Sequence, residues 1–294
     1  MKNKYLSKTY VDAFNKLDEA CCWLDRLGIS YSRSRVGKYR HIFESLSRNQ
    51  SNGTLDNFYK EHSFESWVNA AIEVDELVRI YDGLNMVDSI DLSTRLEDSL
   101  KGHELYIMDG KDRSGRDFGF ELSIASKFVV AGYSVDFGDD ADLRLNYNDT
   151  TLFVECKRLK SDKKIQKRIK EGIKQLHKRY SSSPDPVNAR GILAISIGKV
   201  VNQNLGLLEG ETFEDLGKKA SRYNMAFIEK YKKYWQLHVD QRTLGAVVVL
   251  NCPGVVVNNK LLTTIHEVSM NNSVPMQSNE YQLLLNIAKS VFMK

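Results

Sequence analysis

TLFVECK, residues 151–157, alternates between polar and apolar side chains, and so does the preceding run DLRLNY, residues 142–147. This alternation is the period of a β-strand, in which successive side chains point to opposite faces. The residues between the two runs include Asn148 and Asp149, which are typical of tight turns. The sequence therefore predicts a β-hairpin with a two-residue loop at 148–149.

The predicted hairpin has one polar and one apolar face. A two-residue loop places Tyr147 opposite Thr150 and, counted back along the strands, Asp142 opposite Glu155. The other face is apolar throughout: Ala141, Leu143, Leu145, Leu152, Val154 and Cys156. Two carboxylates facing each other on neighbouring strands repel, whereas a divalent cation bound between them would reverse the sign of that interaction. The register therefore predicts a metal site, with Lys157 on the same face as Glu155.

A solvated edge strand would also explain Glu155 and Lys157, and a third acid helps to separate the two interpretations. Residues 118–129 have the spacing of an amphipathic helix, and Glu121 lies inside its apolar stripe of Phe118, Leu122, Ala125, Phe128 and Val129. A carboxylate on a buried face is costly unless it is paired or binds a metal. Glu121 therefore favours the metal site.

The order of these residues resembles the PD-(D/E)xK nuclease superfamily, which has the restriction-endonuclease-like fold. Glu121 lies in a helix, Asp142 beside a strand, and Glu155, Cys156 and Lys157 on the next strand, and the resemblance covers roughly residues 115–200. It implies Mg²⁺, with Mn²⁺ as a substitute, bound by Asp142, Glu155, Glu121 and the backbone carbonyl of Cys156. It also implies that Lys157 positions or activates the attacking water. Ala141 stands where many members have proline.

The segment after the hairpin is strongly basic. Residues 157–179 contain only two acids, Asp162 and Glu171, and a helical stripe of Ile165, Ile169, Ile173, Leu176 and Tyr180 predicts a helix packed on the sheet. Its lysines fit either a solvated helix face or a contact to a phosphate backbone. Beside a phosphodiesterase site we expect the contact. The expected nucleic-acid-binding residues are Arg158, Lys160, Lys163, Lys167, Arg168, Lys170, Lys174 and Gln175.

Composition narrows the class of protein without identifying it. The net charge of +4 is modest, and the four cysteines form neither a CxxC pair nor a secreted disulfide framework, which predicts a cytoplasmic protein. No run approaches the ~18 apolar residues of a membrane span, so no membrane association is expected. The histidines lack HExxH spacing and there is no GxSxG motif, which argues against a zinc hydrolase and leaves a serine hydrolase without support.

The chain is long enough for two domains. Residues 1–112 are predicted to form a mostly helical N-terminal domain that recognises substrate or a partner, with helices over 11–27, 39–46 and 64–84 and a polar loop over 47–57. Residues 113–294 are predicted to form the nuclease-like domain. It is expected to be α/β in the broad sense (α+β), with a mixed central sheet flanked by helices. Its further elements are strands over 191–197 and 244–250 and helices over 213–237 and 281–292.

Two functions remain open from the sequence. One is Mg²⁺-dependent hydrolysis of nucleic acid, as a DNA endonuclease of bacterial restriction or anti-phage type, with DNA expected over RNA. The other is a catalytically inactive nucleic-acid-binding or assembly protein with the same fold. A homodimer, or a partner protein bound through the N-terminal domain, is compatible with both.

Overall fold

The architecture is mixed α/β, built on an open seven-stranded sheet. The structure is a computed structural model that describes residues 9–108, 115–137, 142–236, 240–258 and 261–292. Within these ranges no helix is long and apolar enough to cross a membrane.

Every regular element before residue 109 in the described chain is helical, as predicted. The helices are α1 (Tyr10–Arg26), α2 (Arg35–Ser51), α3 (Leu55–Glu61), α4 (Phe64–Leu84) and α5 (Ile90–Leu100), followed by a 3₁₀ turn at Tyr106–Met108. The predicted polar loop over 47–57 is wrong, because α2 continues to Ser51 and α3 begins at Leu55. Its polar side chains bond within the helix: Asn49 Nδ2 donates to the Ser45 carbonyl at 2.9 Å and Ser51 Oγ to the Ser47 carbonyl at 3.0 Å.

The sheet follows these helices. Its strands are β1 (Val135–Asp136), β2 (Leu143–Tyr147), β3 (Thr150–Arg158), β4 (Ala189–Ser196), β5 (Leu208–Gly210), β6 (Thr243–Val256) and β7 (Leu261–Asn272). Their order is β1-β2-β3-β4-β6-β5, and β7 also pairs with β6. The pairs β1–β2, β2–β3 and β6–β7 are antiparallel, whereas β3, β4, β6 and β5 run parallel. The sheet is therefore mixed, as predicted.

The predicted hairpin register is confirmed. Leu143 pairs with Val154 and Tyr147 with Thr150, so the turn is the two-residue loop 148–149. Asn148 has a φ of 51°, a left-handed conformation that asparagine tolerates well. The apolar face is buried at Leu143, Leu145, Leu152, Val154 and Cys156, while Ala141 lies outside the described residues. Asp142 directly precedes β2, next to the end of β3.

Helices cover both faces of the sheet. They are α6 (Gly115–Val130), α7 (Ile165–Ser182), α8 (Gly198–Val201), α9 (Phe213–Tyr231), α10 (Lys233–Gln236) and α11 (Asn279–Ile287), with a π-helical turn at Ala288–Phe292. The predicted helix over 213–237 is divided at Lys232, and the whole apolar stripe predicted for α7 is buried. The predicted strand over 244–250 belongs to the longer β6, whose antiparallel partner β7 was not predicted.

The apolar interior continues from the N-terminal helices to the sheet. One cluster joins Trp23 of α1, Leu84 of α4, Leu122 of α6 and Val154 of β3. A second cluster lies on the opposite face, between the sheet and α7, α9 and α10. The domain boundary at residue 112 stays a prediction, since 109–114 lie outside the described residues.

A buried ion cluster links the same helices. Glu73 of α4 accepts hydrogen bonds from Arg35 Nε of α2 at 3.0 Å and from Arg116 Nε of α6 at 2.5 Å. Burial alone would raise the pKa of Glu73, but Arg116 and Arg35 outweigh it and lower that pKa to about 2. The cluster holds α2, α4 and α6 together and thereby supports the helix that carries Glu121.

Replacing Glu73 should destabilise the fold strongly. Glu73→Gln leaves two buried guanidinium groups without their carboxylate, and we expect a loss of about 3–5 kcal/mol in the free energy of unfolding at neutral pH. The exposed Glu65→Gln on the same helix is the matched control. Glu73 stabilises the fold above its unfolded pKa of 4.5, and this contribution is lost as pH falls towards about 2. Denaturant titrations should therefore show the difference between wild type and variant shrinking over that range, and equal stabilities at pH 7 would contradict the account.

Candidate active site

Asp142 lies against the end of β3, where the hairpin register places it. Its Oδ2 accepts a hydrogen bond from the backbone N–H of Cys156 at 2.7 Å. The same oxygen lies 3.5 Å from Lys157 Nζ. The carboxylate is therefore fixed by the neighbouring strand as well as by its own backbone.

Lys157 gathers three oxygens around its ammonium. Lys157 Nζ lies 3.1 Å from Glu155 Oε2, 3.1 Å from the Cys156 carbonyl and 3.5 Å from Asp142 Oδ2. These oxygens belong to three of the four predicted metal-binding residues. We call this arrangement the oxygen cage: Asp142 Oδ2, Glu155 Oε2 and the Cys156 carbonyl. The cage is a position where a cation is already held.

Close packing of α7 confines the lysine. A Cβ atom at Gly172 would lie 2.5 Å from Leu193 Cδ1 and 3.3 Å from Lys157 Cγ. Because Gly172 has no side chain, α7 can approach β3 and β4 closely. The stem of Lys157 is thereby held between the helix and the sheet, with its ammonium in the cage.

Burial and repulsion control the charges of the site. Glu155 is completely buried, and burial, followed by the charge of Asp142, raises its pKa to about 7. Burial alone would lower the pKa of Lys157, but Asp142 and Glu155 outweigh it and raise that pKa above its ordinary value. Arg179 Nε on α7 lies 3.4 Å from Glu155 Oε1 and supplies a second cation. The two carboxylates therefore share a site in which Lys157 remains charged.

Glu121 is buried, as predicted, but it has a different partner. Its Oε2 lies 2.5 Å from Arg95 Nη1 of α5. Arg95 is itself held by the Phe137 carbonyl, which accepts from Nε at 3.1 Å and from Nη2 at 2.8 Å. Across the described residues no three His, Cys, Asp or Glu side chains are grouped so that they could hold a metal ion. Glu121 is thus not gathered with the oxygen cage.

Glu121 nevertheless lines the same cleft as the cage. The cleft has a volume of about 460 Å³ and lies between α6, the end of β3 and α7. Asp142, Cys156 and Lys157 form its floor, and α7 contributes Arg168, Glu171, Lys174 and Gln175 to its wall. Residues from four separate elements therefore meet at one opening.

The predicted nucleic-acid-binding residues fall into three groups. Arg158 is buried, with its guanidinium 4.8 Å from the Tyr106 ring centroid and 3.8 Å from Asp117 Oδ1, and Lys160 pairs with the same Asp117 at 2.9 Å. Arg168, Lys174 and Gln175 of α7 line the cleft, and Arg158 also reaches its lining. Lys163, Lys167 and Lys170 are exposed outside it. Their roles stay predictions, and the second group is the best placed to meet a substrate.

Three residues of the site were not assigned from the sequence. Asp117, Arg95 and Arg179 pair with Lys160, Glu121 and Glu155 respectively. Asp117 precedes Glu121 by four positions in one helix, which places both on one face and was a usable signal. No comparable signal pointed to Arg95, which lies on α5.

No protein-family model, curated protein or solved structure matches this chain.

Cys156 contributes its backbone to the site, while its thiol packs in the apolar cluster below the hairpin. Burial is the main cause that raises the pKa of this thiol well above its ordinary value. Burial likewise raises the pKa of Cys21 and of Cys252 to about 12, whereas Cys22 is exposed. The thiol of Cys156 is thus a core group, as predicted, and a poor nucleophile.

Thiol labelling at neutral pH checks this placement. We expect a small alkylating reagent to modify one thiol per native chain, at Cys22, and all four after denaturation. Mass spectrometry of the native Cys22→Ser variant should show no rapid label. Rapid modification of native Cys156 would contradict the packing of β3.

Proposed function

We propose that this protein is a metal-dependent nuclease that hydrolyses phosphodiester bonds at the oxygen cage. The observation that carries the proposal is the convergence of Asp142 Oδ2, Glu155 Oε2 and the Cys156 carbonyl on one cationic nitrogen. A buried site of this kind costs free energy unless a cation occupies it. Its opening beside Arg168 and Lys174 of α7 supports a phosphate-containing substrate.

The residues of the cage fit a hard divalent cation. Mg²⁺ binds oxygen ligands, usually one or two carboxylates and several waters, and Mn²⁺ accepts a similar set. Asp142, Glu155 and the Cys156 carbonyl would hold the ion, with Glu121 at the cleft wall. A bound ion would supply charge neutralisation at a phosphate oxygen and a water of lowered pKa.

Lys157 is proposed to donate hydrogen bonds rather than to accept a proton. The raised pKa keeps its side chain an ammonium at neutral pH. An ammonium at the floor of the cleft can orient a water molecule and stabilise the negative charge that develops on a scissile phosphate. The carboxyl group of Glu155, with a pKa of about 7, can lose its proton near neutral pH. It would then offer a negatively charged oxygen to the metal ion.

The cleft wall supports nucleic acid as the substrate. Lys174 places positive charge along the opening, Arg168 lies beside it in an ion pair with Glu171, and Gln175 adds a hydrogen-bonding side chain. Phosphate contacts of this kind give affinity without sequence preference. We propose DNA over RNA and an endonuclease of bacterial restriction or anti-phage type. The four free cysteines fit the reducing cytoplasm, which is the proposed location.

One observation favours the second function, a catalytically inactive nucleic-acid-binding or assembly protein. Lys157 itself satisfies the oxygen cage, and Glu121 is satisfied by Arg95. Such a site is electrostatically complete without a metal. The two proposals differ in whether a divalent ion can displace the ammonium.

Cleavage assays separate the two functions. Purified protein is incubated with supercoiled plasmid, linear duplex and RNA in Mg²⁺, Mn²⁺ or EDTA. We expect cleavage of DNA in either metal and none in EDTA. Lys157→Met should lower the rate about 10²–10³-fold, the typical effect of removing one group that stabilises transition-state charge, and Asp142→Asn at least as much.

The matched controls are Asp149→Asn, in the exposed turn of the same hairpin, and Lys218→Met, an exposed lysine paired with Glu214 on α9. Both should cleave at the wild-type rate. Absence of cleavage by wild type in every metal, or equal cleavage by Asp142→Asn, would overturn the nuclease and leave the inactive binding protein.

A further inference from the structure

A second basic surface lies on another side of α7, away from the cleft. With 3.6 residues per helical turn, Lys170 is about 150° from Arg168 and Gln175 of the cleft wall and about 40° from Lys174, which lies between the two surfaces. On that side α10 packs against α7, and Tyr234 of α10 lies beside Tyr231 at the end of α9. We call this surface the tyrosine ledge: Tyr231, Tyr234, Lys170, Lys230 and Lys233.

Lysines lie over the aromatic rings of the ledge. Lys170 Nζ is 5.9 Å and Lys233 Nζ 5.2 Å from the centroid of Tyr234, and Lys230 Nζ is 5.1 Å from that of Tyr231. The two ring centroids are 6.3 Å apart, with 34° between the ring planes. Both rings are partly exposed. The ledge thus combines two neighbouring, mutually tilted aromatic rings with three ammonium groups.

The tyrosines are presented from a fixed position. Trp235, next to Tyr234, is buried, and its Nε1 donates to Asn271 Oδ1 at 3.1 Å. Gln236 Nε2 donates to the Asn272 carbonyl at 3.0 Å. Both contacts attach α10 to the end of β7. Little side-chain and backbone entropy would therefore be lost when a ligand stacks on the ledge.

Positive charge on the ledge is not neutralised locally. The acids of α7 and of residues 223–236 are Glu171 and Glu229. Glu171 lies 3.2 Å from Arg168, and Glu229 lies 2.9 Å from Lys232. No described carboxylate oxygen lies within 4.0 Å of the ammonium group of Lys170, Lys230 or Lys233. The surface therefore fits an anionic ligand that also offers flat aromatic groups.

Unpaired nucleotides have both properties. Their bases expose faces that stack on tyrosine, whereas the bases of a duplex are stacked on each other, and their phosphates interact with lysine. An acidic peptide would satisfy the lysines alone. We propose that the tyrosine ledge binds unpaired nucleotides of the nucleic-acid substrate, at the end of a strand that leaves the cleft and crosses α7. This inference rests on the proposed function for its substrate class.

The path between the two surfaces is short. An α-helix with its side chains is about 10–12 Å across, so a strand crossing α7 needs only a short stretch of backbone. Lys174 lines the cleft on one side of that path, and Lys170 contacts the ledge on the other. A substrate with a single-stranded extension could therefore occupy both surfaces at once.

Binding without cleavage tests the ledge separately from the nuclease site. Fluorescence anisotropy in EDTA compares a blunt duplex with the same duplex carrying a short single-stranded extension. Wild type should bind the extended duplex about tenfold more tightly, which is the effect of stacking about one base. The double variant Tyr231→Leu, Tyr234→Leu should lose this preference. Tyr59→Leu, at an exposed tyrosine of α3, should retain it.

Lys170→Gln provides a variant that leaves the apolar interior untouched. Because one phosphate contact is lost, the slope of log affinity against log salt for the extended duplex should become less steep by about 0.7–0.9. Circular dichroism melts confirm that each variant is folded. Equal binding of both duplexes by wild type, or a preference retained by the folded double variant, would overturn the ledge. Polyglutamate binding that is lost in the double variant would make the ledge a protein-docking surface and would also overturn it.

Cleavage is measured in parallel, so that the two proposals fail separately. If the preference for the extended duplex depends on the tyrosines and no metal-dependent cleavage occurs, the ledge proposal stands and the nuclease proposal fails. If metal-dependent cleavage occurs without that preference, the nuclease proposal stands and the ledge proposal fails.

Discussion

The ammonium of Lys157 and its three oxygens are the interaction on which the rest of the site depends. Glu155 is completely buried, and a buried carboxylate is costly unless a cation lies close to it. The β2–β3 register brings Asp142 to the same point, and Gly172 lets α7 close over the lysine. The hairpin register and the close approach of α7 together hold this cluster of charges in place.

Local pattern predicted the parts of the site that lie on one hairpin. Alternation along two strands and a two-residue turn were sufficient for the register, because a slip of one residue would expose the apolar face. The burial of Glu121 followed from its helical stripe. Its partner did not, because Arg95 lies on α5 and reaches α6 only through tertiary packing. Pairs between distant elements leave no periodic signal in a sequence.

The errors elsewhere have two origins, one local and one tertiary. The polar stretch after Leu46 looked like a loop, yet Asn49 and Ser51 donate to carbonyls of their own helix. β6 continues beyond Leu250 through Pro253 and Gly254, residues that usually interrupt a strand. Its partner β7 is only partly buried and shows weak alternation. In β6 and β7, tertiary contacts outweighed local preference.

Whether the oxygen cage accepts a divalent ion is the question that tests the account most directly. The measurement is a crystal structure of the protein with Mn²⁺, with the ion located by its anomalous scattering. We expect one Mn²⁺ bound to a carboxylate oxygen of Asp142, to Glu155 and to the Cys156 carbonyl, with the ammonium of Lys157 displaced towards the cleft. A saturated crystal with no ion in the cage, and Lys157 still bonded to all three oxygens, would contradict it.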